Sequence, residues 1–283
     1  MDIKRIFVVG AGTMGNGIAQ TAAVSGYQVT MTDVIPEALQ RGQAAIARSV
    51  EKLASKGTLT QEQKQAAQAI TPSADLEPAR QADLVIEAAT EDPAVKLRLF
   101  GDLDRLAPPA AVLASNTSSI SITRIAGATR RPEQVIGMHF FNPVPLMRLL
   151  EVVRGLATSD ATAATALEVG RRMGKEPVEA KDSPGFISNR ILCPMINEAV
   201  FALQEGIGTA ESIDTVMKLG MNHPIGPLAL ADLIGLDVVL FVMQVLQRDL
   251  GEDKYRPAPL LRQMVDAGYL GRKSGRGFFS YAS

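Results

Sequence analysis

His139 is the residue of this chain best suited to acid–base chemistry, and it is one of only two histidines among 283 residues. An imidazole changes its protonation state near neutral pH, so it can take the proton of a substrate hydroxyl and give it back. His139 stands in the stretch GMHFFNPVP (137–145), beside two phenylalanines, and histidines in such apolar surroundings usually only fill space in a core. Its assignment as a base therefore depends on the partners that the rest of the chain supplies.

Glu151 is the candidate partner of His139. It lies in LLEVVRG (149–155), among leucines and valines, where an unpaired carboxylate would be costly to bury. A carboxylate that accepts a hydrogen bond from one imidazole nitrogen fixes the tautomer and stabilises the imidazolium form. An ion pair of Glu151 with Arg148 or Arg154 is the alternative interpretation.

The stretch GAGTMG (10–15) has the G-x-G-x-x-G spacing of a dinucleotide-binding loop. It follows an apolar run, opens a helical segment, and is succeeded by a second apolar run that ends at Asp33. In this motif Gly10 permits a tight turn, Gly12 lets the backbone approach a pyrophosphate, and Gly15 allows close packing of helix and strand. An acid at the position of Asp33 binds the ribose 2′-hydroxyl and repels a 2′-phosphate, so the sequence predicts NAD rather than NADP. A flavin dinucleotide is the alternative ligand.

The elements that position these residues alternate between short apolar runs and helical segments, a pattern typical of a parallel sheet covered on both faces. A polar region from 36 to 68 predicts one or two helices, broken near Lys56-Gly57. Another helix is predicted at 95–107. The predicted strands are 6–10, 27–33, 83–89, 111–116, 135–141 and 149–155.

Polar side chains follow three of the later predicted strands. Thr90, Glu91 and Asp92 come after the first of them, the run 117–119 after the second, and Asn142 after the third. Ligands of open α/β sheets bind at the carboxyl ends of the strands. Each group taken alone could be a loop cap. Together they predict that the carboxyl ends of these three strands form the rim of the cofactor site.

The alternation of predicted strands and helices ends at the turn DSPGF (182–186). Beyond it, the runs 189–206 and about 229–250 have helical apolar spacing, and glycines at 206, 220 and 251 mark helix ends. We therefore predict a Rossmann-like, doubly wound, mostly parallel α/β domain at 1–183 and an all-helical domain at 184–283.

The overall composition sets limits on the function. With 29 basic and 30 acidic side chains the net charge is −1, which gives no global field to attract nucleic acid or an anionic membrane. A single cysteine, Cys193, excludes an internal disulfide and a cysteine-based metal cluster, and we expect it to be a buried, inert thiol. No stretch approaches the roughly 20 apolar residues needed to span a bilayer. We expect a cytoplasmic protein without a membrane, nucleic-acid or metal site, and a structural role for His223.

Over nearly its whole length the chain resembles the (S)-3-hydroxyacyl-CoA dehydrogenase family, and within it most closely the short bacterial 3-hydroxybutyryl-CoA dehydrogenases. The stretches that resemble the family are VVGAGTMGNGIAQ (8–20), VIEAATED (85–92), ASNTSSISIT (114–123), GMHFFNPVP (137–145), DSPGFISNRIL (182–192) and HPIGPLALAD (223–232).

The resemblance implies a role for each matching residue. His139 corresponds to the family's catalytic histidine and Glu151 to the glutamate paired with it. Ser118 corresponds to the serine that contacts the substrate hydroxyl and the nicotinamide, and Asn189 to the asparagine near the substrate carbonyl. The residues that the resemblance assigns to NAD are Gly10, Ala11, Gly12, Thr13, Met14, Gly15, Asp33, Glu91, Lys96, Ser118, Asn142 and Lys273, and those it assigns to coenzyme A are Ser49 and Lys56.

The activity that the resemblance implies is the NAD-dependent interconversion of (S)-3-hydroxybutyryl-CoA and acetoacetyl-CoA by a homodimer assembled through its C-terminal helical domain. One alternative is a related dehydrogenase that acts on a sugar acid or another 3-hydroxy acid without coenzyme A. Another is a structural relative without turnover, like those abundant in eye lens, although the four intact catalytic positions argue against it.

Overall fold

The chain forms two compact units in a computed structural model that describes residues 2–281. The first unit ends at Ser183 and the second begins at Pro184. The strands of the first unit are β1 (Arg5–Val9), β2 (Gln28–Thr32), β3 (Thr71–Ser73), β4 (Leu84–Glu87), β5 (Val112–Ser115), β6 (Val135–Phe140), β7 (Leu149–Arg154) and β8 (Glu176–Lys181). Its helices are α1 (Thr13–Val24), α2 (Pro36–Ser55), α3 (Gln61–Gln68), α4 (Pro93–Leu106), α5 (Ile122–Ala126) and α6 (Asp160–Arg172).

The strands of the first unit form one sheet in the order β3-β2-β1-β4-β5-β6-β7-β8. Neighbouring strands run parallel except β6 and β7, which are antiparallel. The chain moves outward from β1 to β3 and then places β4 on the other side of β1. Ligands of doubly wound sheets bind at such a reversal of strand order, outside the carboxyl ends of the strands. The prediction of a doubly wound, mostly parallel sheet is confirmed.

The central strands supply most of the core of the first unit. Every residue of β4, β5 and β6 is buried, as expected when both faces of a parallel sheet are covered. Alternate residues of these strands join the apolar side of α1 in one continuous cluster. Because α1 is rich in alanine and glycine, it can lie close to the sheet and place its first turn beside the end of β1.

Two strands, β3 and β8, and two helices, α5 and α6, of the first unit were not anticipated. β3 has only three residues and contains a proline, and β8 mixes charged and apolar residues. Both are edge strands of the sheet, which need no continuous apolar run. Helix α6 lies between β7 and β8. The predicted break at Lys56-Gly57 is confirmed, since Gly57 has a φ of 70° just beyond α2.

The second unit is helical in its described part. Its helices are α7 (Ser188–Gln204), α8 (Ala210–Gly220), α9 (Pro227–Ile234), α10 (Leu236–Leu250) and α11 (Pro259–Asp266). The run 229–250, predicted to be helical from its apolar spacing, forms two helices, because Gly235 takes a φ of 106° and separates α9 from α10 at an angle of 98°. Cys193 is buried as expected, and burial raises the pKa of its thiol to about 12.

Within residues 2–281 no single helix is both long and apolar enough to cross a membrane. α9 and α10 reach the required length and apolarity only when taken together, across their bend.

Candidate active site

His139 and Glu151 face each other across the antiparallel pair of β6 and β7. The His139 Nδ1 lies 2.7 Å from the Glu151 Oε2. Both side chains are buried, with 8% of His139 and 2% of Glu151 exposed. With Glu151 ionised, Nδ1 holds the proton and donates it to the carboxylate, which leaves Nε2 as the nitrogen that can accept a proton. The pair therefore has the geometry of an oriented general base.

The direction of β7 explains why this acid reaches this histidine. His139 is at the carboxyl end of β6, where ligands of the sheet are expected. Because β7 runs the opposite way, its third residue, Glu151, returns to the same edge. Arg148 and Arg154, the alternative partners of Glu151, form ion pairs with other acids, which are Glu176, Asp160 and Glu179.

The two phenylalanines hold the end of β6 in place. Phe140 is almost fully buried, and its backbone N–H donates to the Asn116 Oδ1 over 2.9 Å, which ties the ends of β5 and β6 together. The Phe141 ring contacts the His139 ring with 4.6 Å between centroids. This contact limits how the imidazole can rotate.

The glycine loop after β1 has the shape that a dinucleotide requires. Gly10 has a φ of 105°, and a Cβ there would lie 2.6 Å from the Ala88 carbonyl oxygen. A Cβ at Gly15 would lie 1.8 Å from the Gly10 carbonyl oxygen, so α1 packs directly on the loop. At Gly12, the N-cap of α1, a Cβ would meet nothing within 4 Å. The loop thus leaves the helix N-terminus open to a pyrophosphate where the motif predicts it.

Asp33 is tied to this loop. Its Oδ2 accepts the Ala11 N–H over 2.9 Å, and its Oδ1 accepts the Ile35 N–H over 3.0 Å. A carboxylate has about four acceptor positions, so Asp33 can also accept hydrogen bonds from a ribose. Of the other loop residues, Ala11 is buried, Met14 is half-buried and Thr13 is exposed.

Glu91 and Ser118 meet where β4 and β5 end. The Glu91 Oε1 accepts the backbone N–H of Ser118 over 2.9 Å and its hydroxyl over 3.3 Å, and Oε2 accepts the Thr117 hydroxyl over 2.7 Å. Asn142 is exposed and lies two residues beyond the end of β6. The polar residues of the predicted rim thus lie at the carboxyl ends of neighbouring strands.

Lys96 is buried where α4 meets the ends of β4 and β5. Its side chain is 0% exposed and forms an ion pair with Glu87, which is also fully buried. Its ammonium also donates to the Ser115 hydroxyl over 3.2 Å. Position 96 lies in the first turn of α4 and faces the sheet, so Lys96 has no exposed surface, and its contact with NAD stays a prediction. Glu87 was missed, although an acid in the apolar run VIEAA signals a buried partner.

The predicted coenzyme A residues lie on α2 and at its end. Ser49 is half-buried, and Lys56 is the exposed C-cap residue two turns further on, so both can face the same side. Asn189 is the second residue of α7, and Lys273 is exposed and pairs with Asp237. His223 is half-exposed. Among the described residues no group of three or more His, Cys, Asp or Glu could hold a metal ion.

Comparison with known proteins relates both units to one family. Residues 5–183 match the family model described as 3-hydroxyacyl-CoA dehydrogenase, NAD binding domain. Residues 185–281 match the model for the C-terminal domain of the same family.

Individual relatives match over their full length. A probable 3-hydroxybutyryl-CoA dehydrogenase of Bacillus subtilis is 56% identical over 99% of this chain and 98% of its own. The 3-hydroxybutyryl-CoA dehydrogenase of Bradyrhizobium diazoefficiens is 51% identical over 99% of this chain and 96% of its own. A crystal structure of (S)-3-hydroxybutyryl-CoA dehydrogenase from Ralstonia eutropha superposes with a TM-score of 0.97, at 52% identity and with 100% of each chain covered.

Proposed function

The chain belongs to the 3-hydroxyacyl-CoA dehydrogenase family, and from that premise we propose that it interconverts (S)-3-hydroxybutyryl-CoA and acetoacetyl-CoA with NAD as its cofactor. The observation that supports this most directly is the buried His139–Glu151 pair at the ligand-binding edge of the sheet. The names of the most similar relatives support the four-carbon substrate.

His139 is the general base of the proposed reaction. Its Nε2 takes the proton of the C3 hydroxyl, and Glu151 stabilises the imidazolium that forms while it keeps the ring in one tautomer. NAD, when bound at the glycine loop, supplies the acceptor for the C3 hydride. Ser118 hydrogen-bonds the substrate hydroxyl, and Asn189 holds the acyl carbonyl. In the reverse direction His139 returns the proton to the oxygen at C3.

The binding residues follow from charge and position. Gly10–Gly15 hold the pyrophosphate, Asp33 accepts the ribose hydroxyls, and Glu91, Asn142 and Lys273 contact the rest of the dinucleotide. Lys56 offers a positive charge to the phosphates of coenzyme A, with Ser49 on the same side of α2.

The proposed assembly is a homodimer formed through the helical second unit, in the cytoplasm. Large exposed apolar side chains support such an interface, since stretches of apolar surface mark contacts between proteins. Val216, Leu219 and Met221 lie in the second half of α8 or just after it, with 60%, 82% and 60% exposure.

The test of the activity is the loss of NADH absorbance with three substrates at equal concentration: acetoacetyl-CoA, a C16 3-ketoacyl-CoA and free acetoacetate. We expect kcat/KM to be highest for acetoacetyl-CoA. Turnover of free acetoacetate alone would favour a dehydrogenase that works without coenzyme A. Absence of any NADH oxidation would contradict the proposed function.

A further inference from the structure

The strand that carries His139 extends beyond its pairing with β5. The register of β6 with β5 runs from Val135 to Gly137, which lies opposite Ser115, the last residue of β5. The last three residues of β6 (138–140) pair with β7 on the other side. At His139 the backbone ladder therefore continues along one edge of β6, whereas along the other edge it has already stopped.

Asn116 supplies a hydrogen bond where this pairing stops. It is the first residue after β5, it is half-buried, and its Oδ1 accepts the backbone N–H of Phe140 over 2.9 Å. Because an N–H group can only donate, the oxygen of the amide and not its nitrogen faces Phe140. The backbone N–H of Asn116 donates in turn to the carbonyl oxygen of Glu87, the last residue of β4, over 2.7 Å. Asn116 therefore joins the carboxyl ends of three neighbouring strands.

Asn116 stands between two groups that the proposed reaction brings to one substrate oxygen. Ser118 lies two residues further along the chain, where its backbone N–H and its hydroxyl donate to Glu91. His139 immediately precedes Phe140, whose N–H is bound by Asn116. Ser118 and His139 are both proposed to contact the substrate hydroxyl. The bond from Asn116 to β6 therefore fixes the position of one of these groups relative to the other.

An asparagine side chain does here what a longer β5 could not do. A longer strand would satisfy the Phe140 N–H with a backbone carbonyl, but its chain would then continue beside β6. The side-chain amide can replace a backbone carbonyl and leaves the chain free to turn away at Thr117 and to place Ser118. We propose that Asn116 is a positioning residue that holds His139 in register with Ser118 for proton transfer. This inference rests on the proposed function.

Three variants separate the acceptor of Asn116 from the volume of its side chain. Asn116→Asp keeps both the shape and an acceptor for the Phe140 N–H. Asn116→Leu keeps nearly the same shape but has no acceptor, and Asn116→Ala loses both. The measurements are kcat and KM with acetoacetyl-CoA, the Kd of NADH by fluorescence titration, and Tm. Should Asn116→Ala fail to fold, the matched pair Asn116→Asp and Asn116→Leu decides the question.

We expect Asn116→Leu and Asn116→Ala to lower kcat by on the order of 10–10²-fold, because a small displacement of a catalytic group is enough for such a loss. KM and the Kd of NADH should change little, so that kcat and kcat/KM fall together, as they do when the transition state alone is affected. Asn116→Asp should restore most of kcat. Each kcat is compared at the plateau of its own pH profile, because the added carboxylate changes the charge around the imidazole.

The His139 ring can also be followed without turnover. The chain contains two histidines, so the NMR spectrum of protein with isotope-labelled histidine shows two imidazoles. In Asn116→Leu the ring-nitrogen shifts of His139 should differ from those of the wild type, and in Asn116→Asp the ring should again give one defined set of signals. His223 lies in the second unit, so its signals should stay unchanged and serve as an internal reference.

A matched control is Thr158, whose buried hydroxyl braces the opposite end of β6. This hydroxyl donates to the carbonyl oxygen of Val135 over 2.7 Å and accepts the backbone N–H of Gly155 over 2.9 Å. Thr158→Val keeps the shape and removes both hydrogen bonds. It should lower Tm, while kcat and the His139 signals stay as in the wild type.

Two results would overturn the proposal. Equal losses of kcat in all three Asn116 variants would show that the acceptor is not what matters. A lower Tm with wild-type kcat in Asn116→Leu, as in Thr158→Val, would show that the bond serves the fold alone. A wild-type protein that did not turn over acetoacetyl-CoA would contradict the proposed function instead, whereas altered His139 signals in Asn116→Leu would still support the positioning of the ring by Asn116.

Discussion

A single carboxylate decides which nitrogen of His139 can act as a base. We expect His139→Gln to lower kcat by on the order of 10²–10⁴-fold, the usual contribution of a general base, because glutamine cannot take up the hydroxyl proton. The Kd of NADH should be unchanged, since His139 lies at the end of β6 and not in the glycine loop. Steady-state kinetics with acetoacetyl-CoA measures the effect. Near-normal turnover would show that His139 is a packed core residue and not the general base.

Asp33 combines two functions that different substitutions can separate. Its charge should repel a 2′-phosphate, and its Oδ2 holds the Ala11 N–H of the glycine loop. Asp33→Asn keeps an acceptor for Ala11 but removes the charge, whereas Asp33→Ala removes both. We expect both variants to lower the preference for NADH over NADPH, and only the alanine variant to weaken NADH binding strongly as well. An unchanged ratio of kcat/KM for the two cofactors in both variants would contradict this account.

The pairing of His139 with Glu151 could be predicted because an acid among leucines and valines needs a partner and the chain has few histidines. The environment of Lys96 could not be predicted in the same way. Whether a lysine in the first turn of a helix faces solvent or sheet depends on the rotation of that helix. That rotation is fixed by the packing of α4, where Phe100 and Leu103 are buried as well.

At the scale of elements, the loop between β6 and β7 depends on a lysine from outside it. Lys175 is buried just before β8, and its ammonium donates to the carbonyl oxygens of Val144 and Met147. Burial lowers the pKa of Lys175. Both carbonyls lie in the loop 143–147, which follows Asn142 and leads to Glu151. Lys175 therefore anchors the connection between the two halves of the proposed base pair.

We expect Lys175→Met to lower the free energy of unfolding of the first unit by about 1–3 kcal/mol, because two carbonyl groups lose their donor. The kcat should fall as well, since the loop that leads to Glu151 becomes looser. Urea unfolding and steady-state kinetics measure the two effects. The control is Lys181→Met, which changes an exposed lysine of β8 and should leave both quantities unchanged. Equal behaviour of the two variants would show that Lys175 does not anchor the loop.

Some elements of the fold leave no apolar pattern in the sequence and could not be predicted from it. The buried strands were found because a covered parallel strand needs a continuous apolar run. β8 has the sequence EPVEAK and is mostly exposed, so its pairing with β7 depends on the backbone and not on a hydrophobic pattern. The bend between α9 and α10 depends on the φ of Gly235, while the apolar spacing continues across it. The presence of a glycine in the sequence does not tell which backbone conformation it adopts, because glycine can adopt both positive and negative φ.

For the whole molecule, the two units were anticipated from the change of pattern near DSPGF, since alternating strands and helices give way to helices alone. The chemistry could be placed at one edge of the first unit because parallel strands bring their carboxyl ends together. The buried ion pairs that brace this unit are a property of the complete fold. Asp104 near the end of α4 meets Arg131 and Arg130 just before β6, and its carboxyl is almost fully buried.

The Asp104 cluster makes the stability of the first unit sensitive to acid. Burial tends to raise the pKa of Asp104, but the hydrogen bonds from Arg131 and Arg130 outweigh it and hold the pKa below its usual value. A carboxyl whose pKa is lowered by folding contributes stability above its unfolded pKa, about 4, and that contribution is lost as the pH falls through the folded value.

Wild-type protein should therefore be more stable than Asp104→Asn at pH 7. The difference in Tm should shrink below about pH 4, where the carboxyl of the unfolded wild-type chain takes up a proton, and further as the pH falls through the lower pKa of the folded protein. Glu176→Gln removes an ion pair between two exposed side chains. The Tm of this variant should differ little from that of the wild type at either pH. A Tm difference for Asp104→Asn that stayed constant down to pH 2.5 would contradict the lowered pKa and leave the loss of packing around Arg131 as the cause.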